Sequence, residues 1–383
     1  MLGNDNGVSR RNVLKMAGAS VATAAGSGLA AAKPGDTVEV NVGFKSTSGQ
    51  KAALDAASDV VRKFDSLDIV TIRAAKQAVS GLENRADVRF VEENSEVHAL
   101  AQTLPWGIDR VDAEVAHANG DTGAGADIAI IDTGIDGDHP DLQANVGSGK
   151  AFVKCRGKGC NYNWSDDNDH GTHCAGIADA VDNSRGVVGV STDATLHAVK
   201  VLDNSGSGTL SDVAAGIEYV ANQGWDVGSM SLGASSGGQT LKSACTYAYN
   251  NGVFLVGAAG NSGPCTDCVG YPAAYSEVMA VSSTDSSDNL SGFSSTGPQV
   301  EIAAPGSSIY STVVGGYDTF SGTSMATPHV AGAGGQLMAN GASNTKARDT
   351  IKSSAENIGL ADNESGAGLL DVAAALNYDS SDN

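Results

Sequence analysis

Residues 128–134 read Ile-Ala-Ile-Ile-Asp-Thr-Gly, and this stretch decides the fold class. Four consecutive apolar residues predict a strand that is buried on both faces, as in parallel sheets covered by helices. Asp132 follows at the end of the strand, and open sheets of this kind bind ligands at the carboxyl ends of their strands. Asp132 is therefore a candidate site residue, although aspartate at such a position is often only a turn former.

The rest of the second half of the chain repeats this pattern. Residues 195–202 and 253–258 are further apolar runs, and residues 211–222 and 239–250 have helical spacing. Strands that alternate with helices indicate an α/β domain whose mostly parallel sheet is covered on both faces.

The first 32 residues have the composition of a targeting segment. Arg10 and Arg11 are adjacent, and a run of small and apolar residues follows over 16–32. The paired arginines resemble a twin-arginine export signal, and the alternative is an ordinary secretory signal with a chance Arg-Arg. The run is too poor in large apolar residues for a good membrane anchor.

Residues 33–100 predict a second, smaller α+β unit. Strands are expected over 38–44, 69–72 and 88–91, and a helix is expected over 52–64.

The charge of the chain is strongly negative and unevenly placed. The net charge is −21, and residues 1–100 hold 12 basic and 12 acidic residues, so the whole excess lies in 101–383. Nucleic acid and anionic membranes are excluded as favourable partners for that segment. We expect either ordinary solubility or adaptation to high salt, in which counterions screen the repulsion.

Six cysteines are present, and four of them form two close pairs. In an oxidising compartment Cys155 with Cys160, and Cys265 with Cys268, are expected to form small disulfide-closed loops. Zinc is the alternative for the Cys-x-x-Cys pair, although no second pair of that kind accompanies it. Cys174 and Cys245 lie in apolar helical patterns and are expected to be buried thiols.

Residues 170–176, His-Gly-Thr-His-Cys-Ala-Gly, place a histidine at a predicted helix start. The helix dipole should lower the proton affinity of His170, which suits a neutral general base. The alternatives are a structural histidine or a metal site with His173, for which no third ligand is evident.

Residues 322–332 read Gly-Thr-Ser-Met-Ala-Thr-Pro-His-Val-Ala-Gly and place Ser324 at the opening of another helix. Free N–H groups at the helix start would face the serine oxygen. The alternative is that Ser324 is only an N-cap.

In combination, Asp132, His170 and Ser324 stand in the order found in subtilisin. Asp-Thr-Gly, His-Gly-Thr-His and Gly-Thr-Ser-Met-Ala-Thr-Pro-His resemble the three signature motifs of the subtilisin family. The resemblance covers nearly all of 101–383, and residues 101–107 are similar to the mature N-terminus of secreted bacterial members. It implies a three-layer αβα peptidase domain.

The resemblance implies acyl transfer by a catalytic triad. Ser324 would attack the scissile carbonyl, His170 would carry the proton, and Asp132 would orient the imidazole. Residues 258–261, Ala-Ala-Gly-Asn, resemble the segment that stabilises the oxyanion, so Asn261 and the N–H of Ser324 are the expected donors. The family uses no catalytic metal.

The resemblance also implies which segments bind an extended substrate strand. None of them is acidic, so large apolar side chains are expected in the first specificity pocket, although Asp267 at its rim could temper this preference. The expected residues are Ser207, Gly208, Ser231, Leu232, Gly233, Ala259, Gly260 and Gly270.

A structural calcium ion is implied by the similarity of residues 181–187 to the calcium loop of the family. Oxygen donors in this number are within the range that calcium prefers, and the alternative is an ordinary acidic loop. The expected ligands are Gln102, Asp141, Asn183 and the carbonyl groups of Val181, Arg185 and Val187.

The precursor organisation follows the family. Residues 1–32 would be the twin-arginine signal, 33–100 an inhibitory and folding-assisting propeptide, and 101–383 the peptidase domain. Self-cleavage is expected between Leu100 and Ala101.

The expected function is a secreted, monomeric and halophilic endopeptidase of broad specificity, with protein substrates and its own propeptide as inhibitor. A limited-specificity processing protease is the alternative. An inactive binding module would need a broken triad, and an esterase would need a Gly-x-Ser-x-Gly motif around the nucleophile.

Overall fold

The computed structural model describes residues 37–94, 102–157 and 159–380. These residues form two compact units, 37–94 and 102–380, which we describe separately. The predicted signal segment and the predicted cleavage site at Leu100 and Ala101 lie outside the described residues. In the described part of the chain, no helix is long and apolar enough to cross a membrane.

The smaller unit is an antiparallel sheet of four strands in the order β2-β3-β1-β4, accompanied by two helices. Its elements are β1 (Thr37–Phe44), α1 (Thr47–Ala56), β2 (Asp59–Lys63), β3 (Ile69–Ala75), α2 (Lys76–Glu83) and β4 (Val88–Glu93). The three predicted strands are confirmed.

The helix predicted over 52–64 is wrong in its second half. Helix α1 ends at Ala56, and residues 59–63 form the edge strand β2, which pairs antiparallel with β3. All five residues of β2 are exposed, so their apolar spacing does not correspond to a buried helix face. Backbone hydrogen bonds to a distant strand therefore outweigh the local helical pattern.

The larger unit contains a parallel sheet of seven strands in the order β11-β10-β9-β8-β5-β7-β6. Its strands are β5 (Asp127–Asp132), β6 (Lys150–Ala151), β7 (Thr195–Lys200), β8 (Val227–Met230), β9 (Phe254–Ala258), β10 (Val278–Thr284) and β11 (Val300–Pro305). Strands β12 (Ile309–Val313) and β13 (Gly316–Phe320) form a separate antiparallel hairpin.

Helices cover both faces of this sheet. They are α3 (Trp106–Arg110), α4 (Ala113–Asn119), α5 (His170–Asp179), α6 (Leu210–Gln223), α7 (Gln239–Asn250), α8 (Thr323–Ala339), α9 (Asn344–Ser354), α10 (Asp362–Ser365) and α11 (Val372–Ala375). Helices α5 and α8 pack in one apolar cluster, and α6 and α7 pack in another.

Strand β5 shows how the two cores divide the sheet. Ile128 and Ile130 enter the cluster of α5 and α8, whereas Ala129 and Ile131 enter the cluster of α6 and α7. Alternate side chains of a strand point to opposite faces, so an uninterrupted apolar run buries both. The predicted three-layer αβα architecture is confirmed.

Candidate active site

Asp132 and His170 meet at the carboxyl end of β5. Asp132 is the last residue of the strand and fully buried, and its Oδ1 accepts hydrogen bonds from the Thr133 N–H at 2.7 Å and from His170 Nδ1 at 2.8 Å. His170 is the first residue of α5, and its side chain remains 28% exposed. The imidazole is therefore held by a buried carboxylate on one side and open to the cleft on the other.

The pKa of His170 lies above its ordinary value. Burial lowers it, but the charge of Asp132, the hydrogen bond to Asp132 and the charge of Asp166 together outweigh burial. The net direction is opposite to the reduced proton affinity that the helix start predicts, because two nearby carboxylates raise the pKa by more than burial lowers it.

A buried carboxylate that sequence reasoning missed connects β5 to α5. Asp166 accepts hydrogen bonds from the hydroxyls of Thr133 at 2.8 Å and Thr172 at 2.6 Å. The Thr133 hydroxyl in turn accepts from the Gly171 N–H at 2.9 Å. Burial raises the pKa of Asp166 against the effect of these hydrogen bonds. The sequence signal that could have identified Asp166 was its position in the polar run just before His170.

Ser324 is the second residue of α8. The N-cap is Gly322, so the alternative that Ser324 is only an N-cap is wrong. The Ser324 hydroxyl donates to the carbonyl of Ser231 at 3.2 Å.

Asn261 follows β9 and faces the same turn. Its Oδ1 accepts hydrogen bonds from the N–H and from the hydroxyl of Thr323, both at 2.9 Å. Because the oxygen is occupied, only the Nδ2 group is left to donate to a ligand. Thr323 is a second residue that sequence reasoning missed, although it lies inside the Gly-Thr-Ser motif.

Two cavities of about 430 and 530 Å³ share the segment from Ser231 to Ala234 and form one cleft along the site. His170 lines the first cavity, and Asn261 and Ser324 line the second. Seven predicted substrate residues line the cleft: Ser207, Gly208, Ser231, Leu232, Gly233, Gly260 and Gly270.

The eighth predicted substrate residue, Ala259, lies behind the cleft rather than on it. It is fully buried, and its carbonyl accepts a hydrogen bond from the Gly270 N–H at 2.8 Å. Through this hydrogen bond Ala259 fixes the position of Gly270, which lines the second cavity.

The cysteines behave as the sequence indicates. The sulfur atoms of Cys155 and Cys160 are bonded, as are those of Cys265 and Cys268, and Cys174 and Cys245 are buried thiols. The bond between Cys265 and Cys268 favours the disulfide expectation over the zinc alternative. Asp267, inside this small loop, lines the second cavity.

His173 has a structural environment and not a metal-binding one. Its Nε2 lies 3.1 Å from the Ile309 carbonyl and 3.2 Å from the Asp318 carbonyl, and its ring stacks on Phe320. Burial lowers the pKa of His173 to about 4, so the ring is neutral near pH 7. His173 therefore connects α5 to the hairpin of β12 and β13, which precedes the turn that carries Ser324.

The predicted calcium ligands lie together, beyond the end of α5 that is opposite His170. The Gln102 amide nitrogen donates to the Val181 carbonyl at 2.7 Å and to the Val187 carbonyl at 3.0 Å. Asn183 Nδ2 donates to Asp141 Oδ1 at 3.1 Å, and Asp141 is fully buried.

Arg185 belongs to the same loop, and its N–H donates to Asn183 Oδ1 at 2.7 Å. These residues offer the carbonyl, amide and carboxylate oxygens that calcium prefers. In this structure the amide nitrogens of Gln102 and Asn183, and not their oxygens, face the neighbouring carbonyl and carboxylate oxygens.

Comparison with known proteins places this geometry in a family. The family model described as the Subtilase family matches residues 123–368. The thermostable alkaline protease of Halalkalibacterium halodurans is 44% identical over 275 residues, which are 72% of this chain and 73% of that protein. Subtilisin E of Bacillus subtilis is 39% identical over 361 residues, 91% of this chain and 93% of that protein. The alkaline protease of Alkalihalobacillus alcalophilus is 41% identical over 320 residues, 83% and 81% of the two chains.

Proposed function

This chain belongs to the subtilase family and is a serine endopeptidase of the subtilisin type, and from that premise we propose its substrates, its residue roles and its maturation. It is a secreted protease of broad specificity that prefers large apolar side chains before the cleaved bond. The observation that carries this proposal is the 2.8 Å contact between Asp132 and His170 beside the cleft that holds Ser324 and Asn261.

The residue roles follow from these positions. Ser324 Oγ attacks the scissile carbonyl, and His170 Nε2 takes its proton and later gives it to the leaving amine. Asp132 holds the imidazole through Nδ1 and stabilises the imidazolium. The Nδ2 group of Asn261 and the N–H of Ser324 donate to the oxyanion. Loss of such an asparagine donor costs on the order of 10²–10³ in rate, a figure established on subtilisin itself.

The specificity is inferred from the lining of the cleft. The side chain before the cleaved bond is expected in the second cavity, which the nucleophile lines and whose apolar side chains include Leu232, Ala258 and Val269. Asp267 is the acidic group of the second cavity, so some tolerance of basic side chains is expected. A profile of cleaved bonds tests this, and a single narrow motif would support the alternative of a processing protease.

The precursor organisation is proposed as in the family. Residues 1–32 direct export by the twin-arginine route, 33–100 inhibit and assist folding, and 101–383 form the mature monomeric peptidase after self-cleavage between Leu100 and Ala101. Two observations support it: residues 37–94 have an apolar core of their own, and both predicted disulfides are formed.

A calcium ion would be held by Gln102, Asp141, Asn183 and the carbonyls of Val181, Arg185 and Val187. It would neutralise the buried charge of Asp141 and crosslink the start of the peptidase domain to the loop after α5. It has no place in the chemical step.

The test is casein hydrolysis by the exported protein and by its Ser324→Ala variant, in low and molar NaCl with calcium, with intact mass measured alongside. We expect activity and a mature form beginning at Ala101 in the parent, and neither in the variant. If the variant cleaves casein or matures like the parent, Ser324 is not the nucleophile and the proposal fails.

A further inference from the structure

The carbonyl group of Ser324 lacks the standard α-helical hydrogen bond inside α8. In an α-helix the carbonyl of one residue accepts from the N–H of the residue four positions later. Four positions after Ser324 stands Pro328, which lies inside α8 and has no N–H. The nucleophile is therefore the residue whose carbonyl must find a donor elsewhere, or remain unpaired at a cost of about 1–3 kcal/mol.

Two side chains from other elements supply donors to this carbonyl. The hydroxyl of Ser231, which follows β8, donates to the Ser324 carbonyl at 2.8 Å, and the thiol of Cys174 in α5 lies 3.4 Å from it. A thiol is a weak donor, so Ser231 makes the stronger bond. Ser231 is only 4% exposed, so water competes little for its hydroxyl.

The contact between Ser231 and Ser324 is reciprocal. The Ser231 hydroxyl donates to the main chain of Ser324, and the Ser324 hydroxyl donates to the main-chain carbonyl of Ser231 at 3.2 Å. The first bond does not involve the reacting oxygen and can persist when Ser324 Oγ turns towards His170. It holds the backbone from which that oxygen is presented.

We propose that the Ser231 hydroxyl is a positioning group that fixes the main chain of the nucleophile by replacing the helical hydrogen bond that Pro328 removes. This role belongs to the side chain and is separate from the substrate-edge role of the Ser231 backbone. It rests on the proposed role of Ser324 as the nucleophile. A displacement of about 1 Å in a reacting group can cost about 10² in rate, so the contact matters although it lies outside the triad.

The first test is Ser231→Ala, assayed on a peptide substrate. We expect kcat to fall by roughly ten- to a hundredfold, while KM stays within about twofold because the backbone that binds substrate is unchanged. The rate of labelling by a small fluorophosphonate should fall by the same factor, with one site still labelled per molecule.

Ser229→Ala is the matched control. Ser229 lies in β8 two positions before Ser231, and its buried hydroxyl has no hydrogen-bond partner among the described residues. The same substitution there should leave kcat and KM unchanged. A Ser231→Ala enzyme with the kcat of the Ser229→Ala enzyme would overturn the proposal.

A second variant tests the mechanism even if Ser231→Ala folds poorly. Pro328→Ala restores the N–H that an unbroken helix would offer to the Ser324 carbonyl. In the Ser231→Ala/Pro328→Ala double variant we expect kcat to recover most of the loss. A folded double variant with no recovery would contradict the proposal. Activity in Ser324→Ala would instead overturn the proposed function, so the two failures are distinguishable.

Discussion

At the scale of single residues, two carboxylates determine how His170 titrates. Asp132 contacts the imidazole directly, whereas Asp166 acts through its charge and bonds to Thr133 and Thr172. Both raise the pKa of His170. A histidine that must be neutral to accept the serine proton therefore loses activity at a higher pH than an unperturbed imidazole would.

The substitution Asp166→Asn should move the acidic limb of kcat/KM to lower pH. Removing one negative charge lowers the pKa of His170, so a larger fraction of the enzyme has a neutral base at a given acidic pH. The measurement is a pH profile of kcat/KM on a neutral peptide. Asp138→Asn is the control, because Asp138 is exposed and is not among the charges that raise the pKa of His170. If the acidic limb of the Asp166→Asn profile stays at the pH of the parent, Asp166 does not raise the pKa of His170 and has only a structural role.

At the scale of elements, the loop after α5 is shaped around Asp141. Asp141 Oδ2 accepts from the Val187 N–H and from the Tyr317 hydroxyl of β13, both at 2.9 Å. Gly186 has φ +57°, and a Cβ there would lie 1.9 Å from Asp141 Oδ2. Only glycine fits, because the backbone must approach the carboxylate closely and in the left-handed region.

Calcium chelation should lower the melting temperature, and Asp141→Asn should abolish the difference between calcium-loaded and chelated protein. Free calcium at a hundred times the Kd of the site raises the free energy of unfolding by about 2.7 kcal/mol. Calorimetry on matured protein that a fluorophosphonate has inactivated avoids self-digestion. Asp182→Asn, an exposed charge in the same loop that is not a predicted ligand, is the matched control. If calcium still raises the melting temperature of the Asp141→Asn variant, Asp141 is not a calcium ligand.

At the scale of the whole molecule, the net charge of −21 makes the surface carboxylates repel one another. Some of the few basic residues are paired: Lys200 contacts Asp167 at 2.6 Å, and Arg110 contacts Asp288 at 2.9 Å. Lys200 is fully buried, so salt screens its pair little. The repulsion among exposed carboxylates is what added salt can reduce.

Stability and activity should therefore rise between dilute buffer and molar NaCl. The Debye length falls from about 10 Å at 0.1 M to about 3 Å at 1 M, so repulsion between neighbouring surface charges is largely screened. The melting temperature in NaCl, with KCl at equal concentration as a control, measures this. Loss of activity and stability in molar salt would contradict the halophilic interpretation.

The sequence by itself determined the fold class and the principal site residues. Apolar runs such as 128–131 are local patterns, and a strand buried on both faces needs no distant information to be recognised. The motifs around Asp132, His170 and Ser324 identify the family because their order and residue types are written along the chain. Asn261 and most of the substrate residues followed from the same resemblance.

Only the tertiary structure decided how these residues act on one another. The pKa of His170 depends on Asp132 and Asp166, β2 replaces a predicted helix because of β3, and the carbonyl of Ser324 accepts a hydrogen bond from Ser231. Each effect joins residues that are separated in the sequence, and Coulomb energy and hydrogen bonding depend on distance in space. A local sequence pattern does not contain those distances. It can therefore identify the interacting groups but not the relative sizes of their effects.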